Sequence, residues 1–165
     1  MRPVELANDA VPTLPVLQHA VKYFGENEKF KPEVIVLIQP TNPLIQTQDI
    51  DGTLERMATT KSNSCFSVCE ISQRPEWMYR MDNKQAKLFL NEVKGSTKRS
   101  QDLPRLAIIN GTVYVMKYDT LMKKNKIRDD NTSIYLMPRE RSVDIDDIFD
   151  FKFAKFLINL NKKIV

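Results

Sequence analysis

Glycine is scarce in this chain. The 165 residues hold four, Gly25, Gly52, Gly95 and Gly111, no two of them close together. Average usage of about 7% would supply roughly eleven or twelve. Loops that cradle phosphate need clustered glycines, so that backbone N–H groups can approach the anion. No such loop is present. Cysteine is nearly as sparse: Cys65 and Cys69 lie four apart in a segment that reads as a strand. That spacing separates them by about 13 Å, too far for a disulfide. A zinc site would need further Cys or His ligands, and the single histidine is His19. No apolar run approaches the ~18 residues of a membrane span. No basic-then-apolar signal segment opens the chain, which begins Met1-Arg2-Pro3-Val4-Glu5. The expectation is a cytoplasmic protein with reduced, structural thiols and no membrane partner.

At 42% hydrophobic and 28% charged residues, the composition is that of an ordinary globular protein, and the length suits one domain, 1–165. The net charge of +4 comes partly from two basic clusters, Lys94, Lys98 and Arg99, and Lys123, Lys124, Lys126 and Arg128. No aromatic residues interleave with them, so they read as solvated surface rather than a nucleic-acid groove. Thr13 can cap a helix with Leu14, Leu17, Val21 and Phe24 on one face and Gly25 as its stop. Val34 to Ile38 is an unbroken apolar run, as in a strand buried on both faces. A helix from about Asp49 to Thr59 and a strand from Ser64 to Ile71 follow. Pro75 to Asn110 is irregular, with a short strand-like Ala86 to Leu90. Thr112 to Met116 and Ser133 to Met137 read as strands, Asp119 to Lys124 as a short helix. A last helix carries Phe149, Phe153, Phe156, Leu157 and Leu160 on one face. Strands alternating with helices predict an α/β fold.

Arg141-Ser142-Val143-Asp144-Ile145-Asp146-Asp147 is the segment richest in chemistry. In extended chain, residues two apart share a face, so Asp144 and Asp146 can offer carboxylates to one point. Mg2+ takes hard oxygen ligands of this kind, one or two carboxylates with substrate phosphates and waters. The alternative is that Asp146 or Asp147 caps the following helix. Gln39-Pro40-Thr41-Asn42-Pro43 sets neutral donors and acceptors on a stiff backbone just past a strand, where open α/β sheets bind ligands. By itself it is also a plain proline-rich turn. Asn110-Gly111 reads as a tight turn or a place where a ligand approaches the backbone closely. Trp77 is a candidate sugar-stacking ring, although a lone Trp is more often buried packing.

Together and in order, these pieces resemble the bacterial acylneuraminate cytidylyltransferases, the CMP-sialic acid, pseudaminic acid and legionaminic acid synthetases. Arg2-Pro3-Val4-Glu5-Leu6-Ala7-Asn8-Asp9 resembles the segment after their first βαβ unit. Leu37 to Leu44 resembles LQPTSPLR, Arg99 to Pro104 resembles RRQDLP, Asn110 to Tyr114 resembles NGAIY, and Arg141 to Asp146 matches RSVDID. The resemblance implies a Rossmann-like nucleotidyltransferase sheet. It implies a reaction joining CTP to an acidic nine-carbon sugar, with Mg2+ as cofactor. Asp144 and Asp146 would be its ligands. Arg2 would lie near the nucleotide, Gln39 would contact the sugar and Arg99 would pair with the sugar carboxylate. Gln101 and Asn110 would complete the substrate contacts. Residues 75–110 would form a dimerisation insertion, making the partner a second copy or a full-length relative.

This chain departs from the pattern where Ser becomes Asn42, where Arg becomes Ile45 and Ser100, and where aromatic and basic residues become Ala107 and Ile108. Relatives begin with a strand and a Gly/Ser/Lys-rich loop that wraps the CTP phosphates. Here Met1 stands just before the Arg2-Pro3 segment. The expectation is the C-terminal two-thirds of a cytidylyltransferase, N-terminally truncated and poorly active alone. Two alternatives are a non-catalytic dimerisation or regulatory partner of a full-length synthetase and, last in order, a nucleic-acid binder.

Overall fold

The computed structural model describes residues 2–8, 10–81, 85–90, 99 and 104–161, so the Gln101 position lies outside the described residues. Strands β1 (Val34–Ile38), β2 (Ser64–Glu70), β5 (Ala107–Lys117) and β6 (Thr132–Leu136) form a four-stranded sheet in the order β1-β5-β2-β6. β1, β2 and β6 run the same way, and β5 is antiparallel to β1 and β2. The molecule is α/β with a mixed central sheet. Between β2 and β5, Pro75–Trp77 forms a short turn of 3-10 helix, and β3 (Tyr79–Arg80) pairs with β4 (Lys87–Leu88) in a separate small sheet. The main sheet is rejoined at Ala107, so residues 107–110 belong to β5 rather than to the excursion.

Helices cover both sheet faces. α1 (Thr13–Asn27) and α3 (Tyr118–Met122) build one layer, with Val21, Met116 and Leu121 buried among Leu14, Leu17, Ile35 and Leu37. α2 (Thr47–Thr59) builds the other, with Met57, Cys65, Val113 and Val115 against Ile50, Leu54 and Tyr135. Tyr135 lies so close to α2 that a Cβ at Gly52 would enter its ring, so this helical position accommodates only glycine without a shift. Both cysteines are free thiols, and burial pushes the Cys65 thiol up. No helix among the described residues is long and apolar enough to cross a membrane.

Four local expectations change. Thr13 is the first helical residue rather than the cap, and α1 runs through Gly25; the left-handed residue beyond its end is Lys29, at φ 52°. β1 is an edge strand and is buried on one face only, because α2 packs over β5, β2 and β6 on the other face. Ile35 and Leu37 pack under α1, while Val34, Val36 and Ile38 are 36–43% exposed. In α4 (Ile148–Asn161) the inward seam is Ala154, Leu157 and Ile158 against Leu44, Val143 and Ile145. Phe149, Phe153, Phe156 and Leu160 are exposed instead. The helix is apolar on nearly every side, so periodicity does not select the docking face, and the small Ala154 side chain does. Trp77 is half exposed, not core packing.

Candidate functional site

The site lies just past the C-terminal end of β1, where the chain must leave the sheet. Pro40 and Pro43 lack the N–H groups that would continue a ladder. The loop stays tied to β5 through the Gln39 N–H, which donates to the Thr112 carbonyl at 3.3 Å. Opposite it, β5 carries a large bulge. Between the Phe66–Tyr114 and Val68–Ile109 pairs, β2 uses one residue, Ser67, and β5 uses four, Asn110 to Val113. Ser67 fills the irregularity: its hydroxyl donates to Asn110 Oδ1 (2.7 Å) and accepts from the Val113 N–H (2.9 Å). Gly111 within the bulge has φ 75°, a conformation glycine adopts without strain.

Asp144 comes to this bulge from the far end of the chain. Val143 and Ile145 pack inward against Leu44 and Ala154, and the alternation of extended chain turns Asp144 the other way. The Ile145 N–H donates to the Thr41 carbonyl at 3.0 Å, which fixes this segment to the β1 loop. Asn42 is almost fully buried. Its Nδ2 donates to Asp144 Oδ1 at 3.1 Å, and its Oδ1 accepts from the Thr112 hydroxyl at 2.6 Å. A Cβ on Gly111 would lie 2.7 Å from Asp144 Oδ2. The group set against Gly111 is the Asp144 carboxylate, a side chain of the chain itself rather than the expected ligand. Tyr114 is sensitive to the same region: burial first, and then the negative charge of Asp144, push its phenol up.

Capping of α4 falls to Asp147, whose Oδ1 accepts from the Phe149 and Asp150 N–H groups at 2.7 and 3.0 Å. Asp144 and Asp146 are not used as caps. Asp146 is exposed, and its carboxylate makes no hydrogen bond among the described residues. Arg141 makes a two-bond ion pair with Asp49, Nη2 to Oδ1 at 2.7 Å and Nε to Oδ2 at 2.9 Å. The hydrogen bond to Asp49 raises the Arg141 guanidinium further above its ordinary value.

The structure thus brings the Gln39 loop, the Asn110 bulge and the Asp144 segment together. Asn110 is 5% exposed, and its amide is occupied: Oδ1 also accepts from the Thr112 N–H, and Nδ2 donates to the Ser142 hydroxyl. It builds the floor of the cluster. Arg2 makes no hydrogen bond to the cluster; it lines a groove on α1 with Val16, His19 and Tyr23. Arg99 is exposed.

No family model matches the chain. Curated proteins do. It is 22% identical over 157 residues to the post-translational flagellin modification protein B of Campylobacter coli, covering 95% of this chain and 66% of that protein. It is 26% identical over 153 residues to the N-acylneuraminate cytidylyltransferase of Streptococcus agalactiae serotype III, covering 92% of this chain and 35% of that one. It is 25% identical over 159 residues to the CMP-N,N'-diacetyllegionaminic acid synthase of Campylobacter jejuni, covering 96% and 67%. The chain is a homologue of the nonulosonic-acid cytidylyltransferases. It spans about two thirds of the first relative's length and about a third of the second's.

Asp144 and Asp146 carry carboxylate oxygens of the kind that Mg2+ takes, and these are the residues that could hold it. Asp146 is uncommitted, and Asp144 Oδ2 makes no hydrogen bond among the described residues. No group of three or more His, Cys, Asp or Glu side chains gathers anywhere among the described residues. Two carboxylates with the remaining positions left to phosphate oxygens and water is a usual magnesium arrangement. Sequence reasoning did not single out Asn42, Asp49 or Arg141 as builders of this site. Arg141, the basic residue nearest the acidic run, was the available signal.

Proposed function

We propose that this chain carries the C-terminal two-thirds of a cytidylyltransferase that joins CTP to an acidic nine-carbon sugar with release of pyrophosphate, and that it is poorly active alone. The reading rests chiefly on the Asp144 carboxylate, held by Asn42 and set against Gly111 where β1 ends. Mg2+ held by Asp144 and Asp146 would offset charge on the phosphate oxygens while the sugar's anomeric hydroxyl displaces pyrophosphate from the α-phosphorus. Asn42 keeps Asp144 oriented, and Asn110 keeps the bulge in shape. Gln39 and the sugar-side Arg99 and Gln101 supply contacts to the acidic sugar, a guanidinium matching a carboxylate. Arg2 serves the nucleotide, and the part of residues 75–110 that precedes β5 serves dimerisation. The test is Mg2+-dependent thermal stabilisation of the chain by CTP or CMP-sugar. Stabilisation that Asp144→Asn leaves unchanged refutes the metal assignment. Turnover of CTP and sialic acid by the chain alone at about 1 s-1 or faster, within the usual enzyme range, refutes the claim of poor activity.

A second reading is favoured by the open surfaces. Among the described residues, β1 leaves one edge unpaired and carries three exposed aliphatic side chains, and α4 exposes Phe149, Phe151, Phe153 and Phe156. Such surfaces suit a non-catalytic partner that pairs with a full-length synthetase. Co-purification with such a synthetase supports this reading; a strictly monomeric chain that captures none counts against it.

A further inference from the structure

Asp49 and Arg141 stand 92 positions apart, and their pairing belongs to neither the sheet nor an apolar core. Asp49 is fully buried and the Arg141 side chain is 16% exposed. Both Asp49 oxygens are committed, since Oδ2 also accepts from the Gln46 N–H at 3.0 Å at the start of α2. Stability does not account for such a pair, because desolvating two charges commonly costs as much as their attraction returns. A forked, two-bond pair does fix distance and rotation, which apolar packing does less strictly. Here it fixes the segment that delivers Asp144. Arg141 lies three residues before Asp144. Beyond it, Ser142 is held by Asn110 Nδ2 and by the Pro138 carbonyl (both 2.8 Å), and Ile145 is held by Thr41.

We propose that Asp49 is a positioning residue that acts through Arg141 to hold Asp144 in its cation-ready orientation at the Gly111 bulge. The inference rests on the reading of Asp144 as a cation-holding carboxylate. The test is Mn2+ binding by the full chain, followed by electron paramagnetic resonance, alongside circular dichroism and denaturant unfolding. Asp144→Asn should abolish binding. Asp49→Asn, which keeps the shape and removes the charge, should weaken Mn2+ binding about 10-fold, at the lower end of what lost supporting contacts cost metal sites. A folded Asp49→Asn with wild-type Mn2+ affinity overturns the proposal, even if its unfolding free energy falls, since that is what a purely structural pair would give. If Asp49→Asn does not fold, Arg141→Lys decides. It keeps the charge and loses the fork, and wild-type affinity in it also overturns the proposal. Absence of Mn2+ binding by the wild-type chain, or binding that Asp144→Asn does not alter, overturns the underlying reading of Asp144 and the proposal with it.

Discussion

Replacing Gly111 by alanine perturbs two things at once, and they can be separated. The new methyl carbon would lie 2.7 Å from Asp144 Oδ2 and 3.4 Å from its Cγ, on a backbone with φ +75°. A non-glycine residue in that region costs about 1–2 kcal/mol. The contact itself is relieved when Asp144 swings away, because the crowded atom is the end of a side chain. That movement breaks the 3.1 Å hydrogen bond from Asn42. Hydrogen bonds to charged groups contribute about 1.5–3 kcal/mol, and this bond, part-buried with water on the Asp144 side, is placed toward the lower end. Gly111→Ala should therefore destabilise the chain by about 3 kcal/mol in denaturant unfolding, with an unchanged slope. At this size that is a fall of about 6–12 °C in Tm. In an Asp144→Ala background only the backbone strain remains, so the same substitution should cost about 1–2 kcal/mol. Equal costs in the two backgrounds would show that Gly111 and Asp144 do not interact. A cost below about 0.5 kcal/mol in the wild-type background would refute the strain as well.

Gly52→Ala places a methyl in the Tyr135 ring, and should cost about 1–3 kcal/mol by overpacking. The cost should vanish in a Tyr135→Val background, and its persistence there would locate the strain elsewhere. Acid stability gives a further check. The Lys124 ammonium, 2.6 Å away, holds the Asp129 carboxyl below the usual carboxylate range, with help from Asn63. Because the folded value lies below the unfolded one, the associated stability is complete above about pH 4 and is lost as pH falls through the lowered folded value. Lys124→Met should raise the Asp129 value in a carboxyl NMR titration and flatten that part of the stability profile. An unmoved titration would show that the pair is not formed in solution.

The parts of the fold that were legible in the sequence are those where one strong local signal acts alone. Val34 to Ile38 could hardly be anything but a strand, and Val34–Ile38 is β1. Which of its faces is covered depends on neighbours contributed elsewhere in the chain, so its edge position was not readable from the run itself. α4 shows the same limit in a helix, where an excess of phenylalanine hides the seam that Ala154 defines. At the site, the acidic run was visible as a cluster of like residues. The division of labour within it was not, because Asp147 becomes the cap only once the chain bends there. Asn42, Asp49 and Arg141 each act through a partner 70 or more positions away. No local pattern encodes such pairings.

The route of the chain between β2 and β5 has a modular consequence. Glu70 pairs with Ala107, and the Ile71 N–H bonds to the Leu106 carbonyl. The chain therefore departs from the sheet and comes back to it through a single rung. Among the described residues, the four strands of the main sheet and the Asn42, Thr112 and Asp144 contacts are drawn from outside that segment. Doubling the length of such a loop costs only about 0.6 kcal/mol of closure entropy. This rung is a graft point, where one sheet can carry appendages of different length while its own strands keep their pairing.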